Sequence, residues 1–152
     1  MNSTKIKLED FDFFQEIDSH LLDIISSNAK IKEFDTGKYI CRDGEEANVF
    51  YLILKGKVAL EVNVHSKDSL VLQTLGNGNV LGWSWLFKPY LWNVDARTTE
   101  KTKVLELDGK LIRHECEKNH EFGYTLLTKL ANVFVNRLQA TRLQLLDVYG
   151  KK

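Results

Sequence analysis

The stretch from Ile31 to Leu107 consists of short apolar runs punctuated by glycines. About eight such runs, rich in Val, Ile, Leu, Tyr and Thr, can be distinguished. Runs of this length and composition, bounded by glycine turns, are typical of β-strands. They lie near residues 31–34, 38–41, 49–54, 57–64, 70–75, 79–81, 92–98 and 103–107. Closely spaced antiparallel strands with glycine turns favour a barrel or jelly roll in a mainly β fold.

Helical patterns flank the strands on both sides. Apolar residues at steps of three and four predict a helical lead-in within residues 1–30, with Asp18 or Ser19 as the N-cap of a helix. Residues 108–149 return to a helical pattern. We therefore expect one domain overall, with the barrel formed by residues 31–107 between these helical segments.

The C-terminal pattern predicts one long helix from His120 to about residue 148, with an apolar stripe along it. Such a helix would be roughly 40 Å long at about 1.5 Å per residue, more than a domain of this size easily covers. We predict that its far end packs on a second copy, giving a homodimer; the alternative is a helix that folds back over the barrel. The predicted interface residues are Leu127, Leu130, Phe134, Leu138, Thr141, Leu145 and Val148.

The charge balance gives no support for nucleic-acid or membrane binding. Lys+Arg and Asp+Glu both number 21, so no overall basic field would attract DNA or an anionic membrane. Cys41 and Cys116 form no CxxC pair and are expected to be free thiols. Neither a signal peptide nor a long apolar run is recognisable, so we expect a cytoplasmic protein with no membrane partner.

Enzymatic chemistry has no recognisable motif in this sequence. The histidines are His20, His65, His114 and His120, and only His65 lies near a predicted strand. A metal site of the cupin kind needs two or three histidines and a carboxylate on inward-facing strand positions, which this distribution does not supply. No GxSxG, HExxH or P-loop motif is present. We expect no catalytic residues, no metal and no cofactor, in a protein that is not an enzyme.

One segment carries a specific resemblance to a known family. The run ICRDGEEANVFYLILKG, from Ile40 to Gly56, contains an apolar pair, Gly44 followed by an acid, the small Ala47, four apolar or aromatic residues and a closing glycine. It resembles the first signature of the cyclic-nucleotide-binding domain of the catabolite-activator and fumarate-nitrate regulator superfamily. The resemblance covers about residues 15–148. It implies an eight-stranded jelly-roll β-barrel flanked by an N-terminal helix and a long, dimerising C-terminal helix.

In that family, a short helix between two strands holds the ligand's cyclic phosphate. The second signature of the family marks this helix with an apolar residue, Gly, Glu, any residue and a small residue, followed after a loop by Arg and Ser or Thr. Here Leu81 and Gly82 match its start, and Leu86 and Phe87 match the end of the short helix. The residues that would contact the phosphate do not match.

All three tryptophans fall on positions that the resemblance assigns to ligand contacts. Trp83 stands where the family's Glu accepts the ribose 2′-hydroxyl, and Trp85 where a small residue lets the phosphate approach. Trp92 stands where the family's Arg pairs with the phosphate, and Asn93 replaces the Ser or Thr that hydrogen-bonds it. An Arg–phosphate pair contributes roughly 1.5–3 kcal/mol, whereas an indole offers one N–H and no charge. We expect the aromatic cluster to narrow or fill the phosphate site, so that cAMP is not bound in the usual way.

Other donors for an anion remain open in this sequence. Strand alternation turns Arg97 away from the pocket, but Arg142 lies beside Thr141, which resembles the residue with which cAMP-binding relatives touch the adenine. Backbone N–H groups of residues 84–86, at a helix start, are a further candidate for holding a small anion. The candidate ligand-binding residues are therefore Gly82, Trp83, Ser84, Trp85, Leu86, Trp92, Asn93, Thr141 and Arg142.

The sequence favours a stand-alone regulatory or sensor domain of the cyclic-nucleotide-binding fold. The chain stops at LLDVYGKK, where relatives that regulate transcription continue into a helix-turn-helix domain, so we expect no direct DNA binding. Occupancy of the pocket would shift the short helix at 83–87 and, through it, the long helix. Two alternatives stay open: a ligand-free dimeric module that docks another protein, and a binder of cyclic nucleotides or other small anions through residues 84–86 and Arg142.

Overall fold

The structure, a computed structural model, describes residues 6–63 and 69–150. Its strands follow the order predicted from the sequence. They are β1 (Lys30–Phe34), β2 (Tyr39–Cys41), β3 (Val49–Lys55), β4 (Val58–Asn63), β5 (Ser69–Leu75), β6 (Val80–Leu81), β7 (Asp95–Thr98) and β8 (Thr102–Asp108). The helices are α1 (Ser19–Ser27), α2 (Gly109–Lys118) and α3 (His120–Gly150), preceded by short 3₁₀ helices at Leu8–Asp10 and Asp12–Phe14.

The strands form two antiparallel four-stranded sheets, ordered β1-β8-β3-β6 and β2-β7-β4-β5. This arrangement confirms the predicted mainly β jelly roll with flanking helices. The predicted closed barrel is wrong in one respect: among the described strands, no hydrogen-bonded ladder joins the two sheets into a closed cylinder. The sheets instead lie face to face as two layers.

The core follows from the alternation of side chains along the strands. In β3, Phe50 and Leu52 belong to a hydrophobic cluster shared with the helices, whereas Tyr51 and Ile53 belong to a second cluster between the two sheets. A strand buried on both faces reads as a continuous apolar run. This explains why β3 stands out in the sequence and why helices cover the outer face of its sheet.

The helical lead-in is shorter than the periodic pattern suggests. Glu16 has a positive φ of 71°, and this interrupts helical geometry before α1. The predicted cap is confirmed, because the Asp18 carboxylate accepts a hydrogen bond from the His20 N–H at 2.9 Å. The N-terminal part therefore consists of two 3₁₀ turns and one capped helix.

Helix α3 extends for 31 residues along the outside of the fold. At its start the Asn119 side chain accepts a hydrogen bond from the Phe122 N–H at 3.1 Å. Further along, Gln144 Nε2 donates to the Val71 carbonyl at 2.6 Å, so the helix lies beside β5. Among the described residues, no helix combines the length and apolar character needed to cross a membrane. Large apolar side chains on α3 remain exposed: Tyr124, Leu127, Val135, Leu138, Leu143, Leu145, Leu146, Val148 and Tyr149.

Candidate functional site

The candidate site is the segment from Gly82 to Asn93, which links β6 to β7. This segment forms consecutive turns instead of the predicted short helix. The Leu86 N–H donates to the Trp83 carbonyl at 3.0 Å, so one of the predicted anion donors is already used within a turn. The helix start predicted over residues 84–86 is therefore absent from this described segment.

The end of the segment is fixed to the loop before β3. The Gly44 N–H donates to the Trp92 carbonyl at 2.8 Å, and the Trp92 N–H donates to the Glu45 carbonyl at 2.8 Å. The Ala47 N–H donates to the Tyr90 carbonyl, also at 2.8 Å. Trp92, the first residue of the predicted strand 92–98, forms two of these bonds, and β7 itself begins only at Asp95. They join the first family signature to the second.

The Trp92 ring lies between the two sheets. Its side chain is 5% exposed, and its ring stacks on that of Tyr51 with centroids 6.3 Å apart. Gly82 leaves the space that the ring needs, because a Cβ at that position would lie 2.4 Å from Trp92 Cη2. Trp92 therefore fills the interior of the jelly roll where the family resemblance placed a phosphate contact.

Trp85 packs on the opposite side of β3. It has no exposed surface and stacks on Phe50 with ring centroids 4.6 Å apart. Its Nε1–H donates to the Gly82 carbonyl at 3.3 Å, and a Cβ on Gly109 would lie only 2.6 Å from Trp85 Cβ. Trp85 was predicted as a ligand contact, and its complete burial under the helices corrects that assignment to a core position.

Trp83 is half-buried and connects the segment to α3. Its ring meets that of Phe134 edge-on, with centroids 5.1 Å apart. The guanidinium carbon of Arg137 lies 4.4 Å from the centroid of the Trp83 ring, a cation–π contact. Arg137 Nε also donates to Gln73 Oε1 at 2.6 Å, so this arginine joins the segment, β5 and α3.

Two spaces adjoin these residues. We call the first the remnant cavity, because residues that the resemblance assigned to ligand contacts line it; its volume of about 10 Å³ is the room that one water needs. The predicted residues Gly82, Trp83, Ser84, Trp92 and Asn93 line it. The second is an open groove of about 590 Å³ on the far side of Trp83. We call it the α3 groove; it is lined by Trp83, Phe87, Phe134, Arg137, Leu138 and Thr141.

The other predicted residues lie in different surroundings. Thr141 lines the α3 groove, but Arg142 is exposed and lines neither space. Leu86 packs partly buried against the helix-side cluster. Leu130 was predicted for the dimer interface, yet it has no exposed surface and belongs to the core. Ala131, the next residue, is exposed and lies on the outer face of α3, where Leu130 was predicted to lie.

Sequence reasoning missed two arginines. Arg137 follows a core leucine by seven residues, a spacing that places it on the inner face of α3; the sequence reading favoured Arg142 instead. Arg113, on α2, donates from Nη1 to the Trp85 carbonyl, and its guanidinium lies 4.0 Å from the centroid of the Tyr90 ring. No motif marks Arg113, because its role depends on how the turns fold against α2.

The charged groups near the segment are already engaged or buried. Arg97 Nη2 donates to Glu61 Oε2 at 2.6 Å, and this hydrogen bond raises the pKa of Arg97. Burial lowers the pKa of Arg137 to about 10, which leaves it a cation at neutral pH. Arg97 therefore pairs with the buried carboxylate of Glu61, in agreement with the prediction that its side chain points away from the pocket. Arg137 keeps its positive charge beside the two spaces.

The histidines are spread over the helices. His20 lies in α1, His114 in α2 and His120 at the start of α3, while His65 lies outside the described residues. Across residues 6–63 and 69–150, no three His, Cys, Asp or Glu side chains gather as a metal ion would require.

Comparison with known sequences supports the family resemblance. A profile of the cyclic nucleotide-binding domain matches residues 31–119. The cAMP-activated global transcriptional regulator CRP of Haemophilus influenzae is 27% identical over 136 residues, covering 86% of this chain and 59% of that protein. This chain therefore spans less than two thirds of the length of that relative.

Solved structures have the same fold. A candidate cyclic nucleotide-binding protein from Geobacter metallireducens GS-15 matches with a TM-score of 0.75 and 28% identity, covering 90% of this chain and 99% of that one. The sensor domain of the transcriptional regulator DNR from Pseudomonas aeruginosa matches with a TM-score of 0.74 and 19% identity, covering 87% and 89%. This chain belongs to the cyclic nucleotide-binding domain family, within the catabolite-activator and fumarate-nitrate regulator superfamily.

Proposed function

We propose that this chain is a regulatory domain whose phosphate site is closed by its own aromatic side chains, so that it does not bind cAMP in the usual way. The observation that carries the proposal is the Trp92 ring between the sheets, beside a cavity of only about 10 Å³. Small-molecule sites usually measure about 300–1,000 Å³. A phosphate could enter only if the Trp92 ring left the interior. Loss of a large aromatic side chain from a core costs roughly 3–5 kcal/mol, whereas one charged hydrogen bond to the phosphate contributes roughly 1.5–3 kcal/mol.

The positions of the arginines support a closed site. Arg97 is engaged by Glu61, and Arg142 lies outside both spaces. Arg137 also lines the remnant cavity, but its guanidinium lies over the ring of Trp83 and its Nε donates to Gln73. A cyclic phosphate at the family position would therefore meet an indole where the family supplies a guanidinium.

We further propose that the domain is a homodimer through α3. Seven residues of α3, from Leu127 to Val148, follow one another at alternating steps of four and three, the spacing of a coiled-coil seam, and all but the half-buried Phe134 are exposed. Leu138 is 68% exposed, although such a side chain normally contacts other apolar groups. The proposed seam consists of Leu127, Ala131, Phe134, Leu138, Thr141, Leu145 and Val148.

The proposed output is a change in what the dimer can dock against. Trp83 and Phe87 both contact Phe134, with ring centroids 5.1 and 5.9 Å apart, so a shift of the 82–93 segment is transmitted to α3. We propose a protein partner in the cytoplasm rather than DNA, because acidic and basic residues balance at 21 each. Regulation rather than catalysis fits the transcriptional regulators among its relatives.

A second candidate is a ligand-free interaction module that serves only as a dimeric scaffold. The small volume of the remnant cavity favours it, because a site filled by the protein needs no metabolite. The α3 groove favours a sensor, because about 590 Å³ of space remains beside a buried cation. Intrinsic tryptophan fluorescence separates the two candidates: a metabolite that shifts the emission supports the sensor, and silence across a broad library supports the scaffold.

Isothermal titration with cAMP and cGMP tests the closed site. We expect no saturable heat up to millimolar nucleotide, while the cAMP-activated regulator of Haemophilus influenzae serves as the positive control. A micromolar dissociation constant for either nucleotide would contradict the proposal.

A further inference from the structure

We propose that a pocket at one end of the sheet β1-β8-β3-β6 binds a short chain of linked phosphate groups. The pocket has a volume of about 320 Å³ and is lined by Glu33, Lys55, Lys101, Thr102 and Lys103. We call it the lysine pocket. None of these residues belongs to the 82–93 segment or to α3. The inference therefore goes beyond the proposed function and does not depend on it.

Two of the lysines face each other across neighbouring strands. Lys55, at the end of β3, lies directly opposite Lys103 in β8. Like charges at directly opposed positions of a sheet destabilise it. Lys101, two residues before Lys103, brings a third cation to the same pocket. The sheet therefore carries an arrangement of charges that lowers its stability, and a bound anion would offset this cost.

The chain supplies too little negative charge to balance these lysines. Among the residues that the structure describes, no ion pair includes Lys55, Lys101 or Lys103. Glu33 is the one acid among the described residues that line the pocket, so two positive charges remain in excess. Glu100 precedes Lys101 but does not line the pocket. Because the whole chain has a formal net charge of zero, this excess is a local feature.

Contacts between two turns fix the backbone that carries the lysines. A Cβ on Gly56 would lie 2.4 Å from Thr102 Oγ1, so the turn between β3 and β4 lies directly against the start of β8. Thr102 Oγ1 donates to the Lys57 carbonyl at 3.3 Å, and the Thr99 N–H donates to the same carbonyl at 3.0 Å. The lysines are therefore brought together before any anion binds, which reduces the ordering cost of binding.

The composition of the lysine pocket favours a phosphate chain over a segment of a protein. No apolar residue is among the described residues that line it, so a peptide would bury little apolar surface there. An ammonium group is a compact point charge with three donors, and lysine is a common phosphate ligand. The volume lies at the lower end of the range of roughly 300–1,000 Å³ for small-molecule sites, which suits a compact ligand of several linked phosphates.

Isothermal titration of the full chain with inorganic triphosphate, at about 0.15 M salt, tests the site. We expect saturable binding at least about tenfold tighter than that of inorganic phosphate, because more charge-assisted hydrogen bonds form. Lys103→Gln should weaken triphosphate binding at least about tenfold, since one of these bonds is lost. Lys110→Gln removes an exposed lysine on α2 and is the matched control, which should leave the affinity unchanged.

The free energy of unfolding separates a ligand site from a structural role of Lys103. Without ligand, Lys103→Gln should be at least as resistant to urea as the wild type, because its repulsion from Lys55 is removed. Lys103 also lies directly opposite Glu33 on β1. A clear loss of stability would mean that Lys103 serves the sheet through Glu33, and it would overturn the proposal.

The remaining outcomes identify what the lysine pocket binds. Absent binding, equal affinities for triphosphate and phosphate, or equal effects of the two variants would overturn the proposal; the last two would indicate an adventitious ion only. Tighter binding of a short polyglutamate peptide would also overturn it, in favour of a protein partner. Adenosine triphosphate distinguishes two sources of the phosphate chain. An affinity equal to that of triphosphate supports a free chain, and a higher affinity supports the chain of a nucleotide.

Discussion

The backbone of Gly82 and the ring of Trp92 are in contact so close that no side chain fits between them. A Cβ on Gly82 would lie 2.4 Å from Trp92 Cη2 and 3.3 Å from Phe50 Cβ. The same glycine has a positive φ of 106°. The turn after β6 and the indole that fills the interior therefore depend on each other.

We predict that Gly82→Ala destabilises the domain more than Gly37→Ala. Both glycines have positive φ, which costs Ala roughly 1–2 kcal/mol. A Cβ on Gly37 meets nothing within 4 Å, whereas at Gly82 it adds an overpacking cost of roughly 1–3 kcal/mol. Urea unfolding of the two variants measures the difference; equal free energies of unfolding would show that Trp92 does not lie against Gly82.

We predict that the tryptophans differ in their contribution to stability. Trp85→Ala should lower the free energy of unfolding by about 3–5 kcal/mol, since the fully buried ring stacks on Phe50. Trp83→Ala should cost no more than about 2 kcal/mol, because its half-buried ring lies at the edge of the helix-side cluster, with one edge-on contact to Phe134 and one cation–π contact to Arg137. Chemical denaturation measures both, and the reverse order would mean that Trp83 is the core residue.

We predict that Leu138→Asp dissociates the dimer while Leu143→Asp leaves it intact. The two leucines are 68% and 67% exposed, so the substitutions match in exposure. They lie about 140° apart around α3 at about 100° per residue, and only Leu138 is on the proposed seam. Sedimentation velocity reports the oligomeric state. A monomeric wild type, or equal effects of the two variants, would contradict the seam.

We predict that the two cysteines react slowly and in a fixed order. Burial raises the pKa of the Cys41 thiol to about 12 and that of Cys116 to about 11, from 9.0. Since the thiolate is the nucleophile, iodoacetamide at pH 8 should modify the half-buried Cys116 first and Cys41 only on unfolding. Mass spectrometry of Cys116→Ser and Cys41→Ser measures each rate, and faster labelling of Cys41 would contradict its burial.

The raised pKa values of the two thiols also determine the direction in which the free energy of unfolding changes with pH. The folded state holds the thiol protons above pH 9.0, where the unfolded chain releases them. The free energy of unfolding should therefore fall as pH rises from about 9 toward 11 and 12. In Cys41→Ser/Cys116→Ser this part of the decline should disappear.

The strands could be predicted from the sequence because local pattern decides them. β3 reads as an apolar run since Phe50 and Tyr51 are buried on opposite faces, and glycine turns separate the neighbouring strands. The burial of each tryptophan, and the side of β3 on which it packs, could not be predicted in the same way. Trp83 and Trp85 are two residues apart, but they lie in turns, where the alternation of a strand does not apply.

The residues on α3 show a similar limit. Helical spacing predicted an apolar stripe on α3, but choosing between Leu130 and Ala131 for its outer face required knowing which face meets the core. Arg142 was a reasonable candidate because it lies beside Thr141. Five residues separate it from Arg137, a rotation of about 140° that turns one arginine inward and the other to solvent.

The most direct test of the closed phosphate site is an NMR titration that observes the indole N–H signals of the three tryptophans. Each signal is assigned with the corresponding Trp→Phe variant of the ¹⁵N-labelled protein, and cAMP is added to millimolar concentration. We predict that the Trp92 signal stays in place, because its ring fills the interior between the sheets. A saturable shift of that signal with a micromolar midpoint would contradict it.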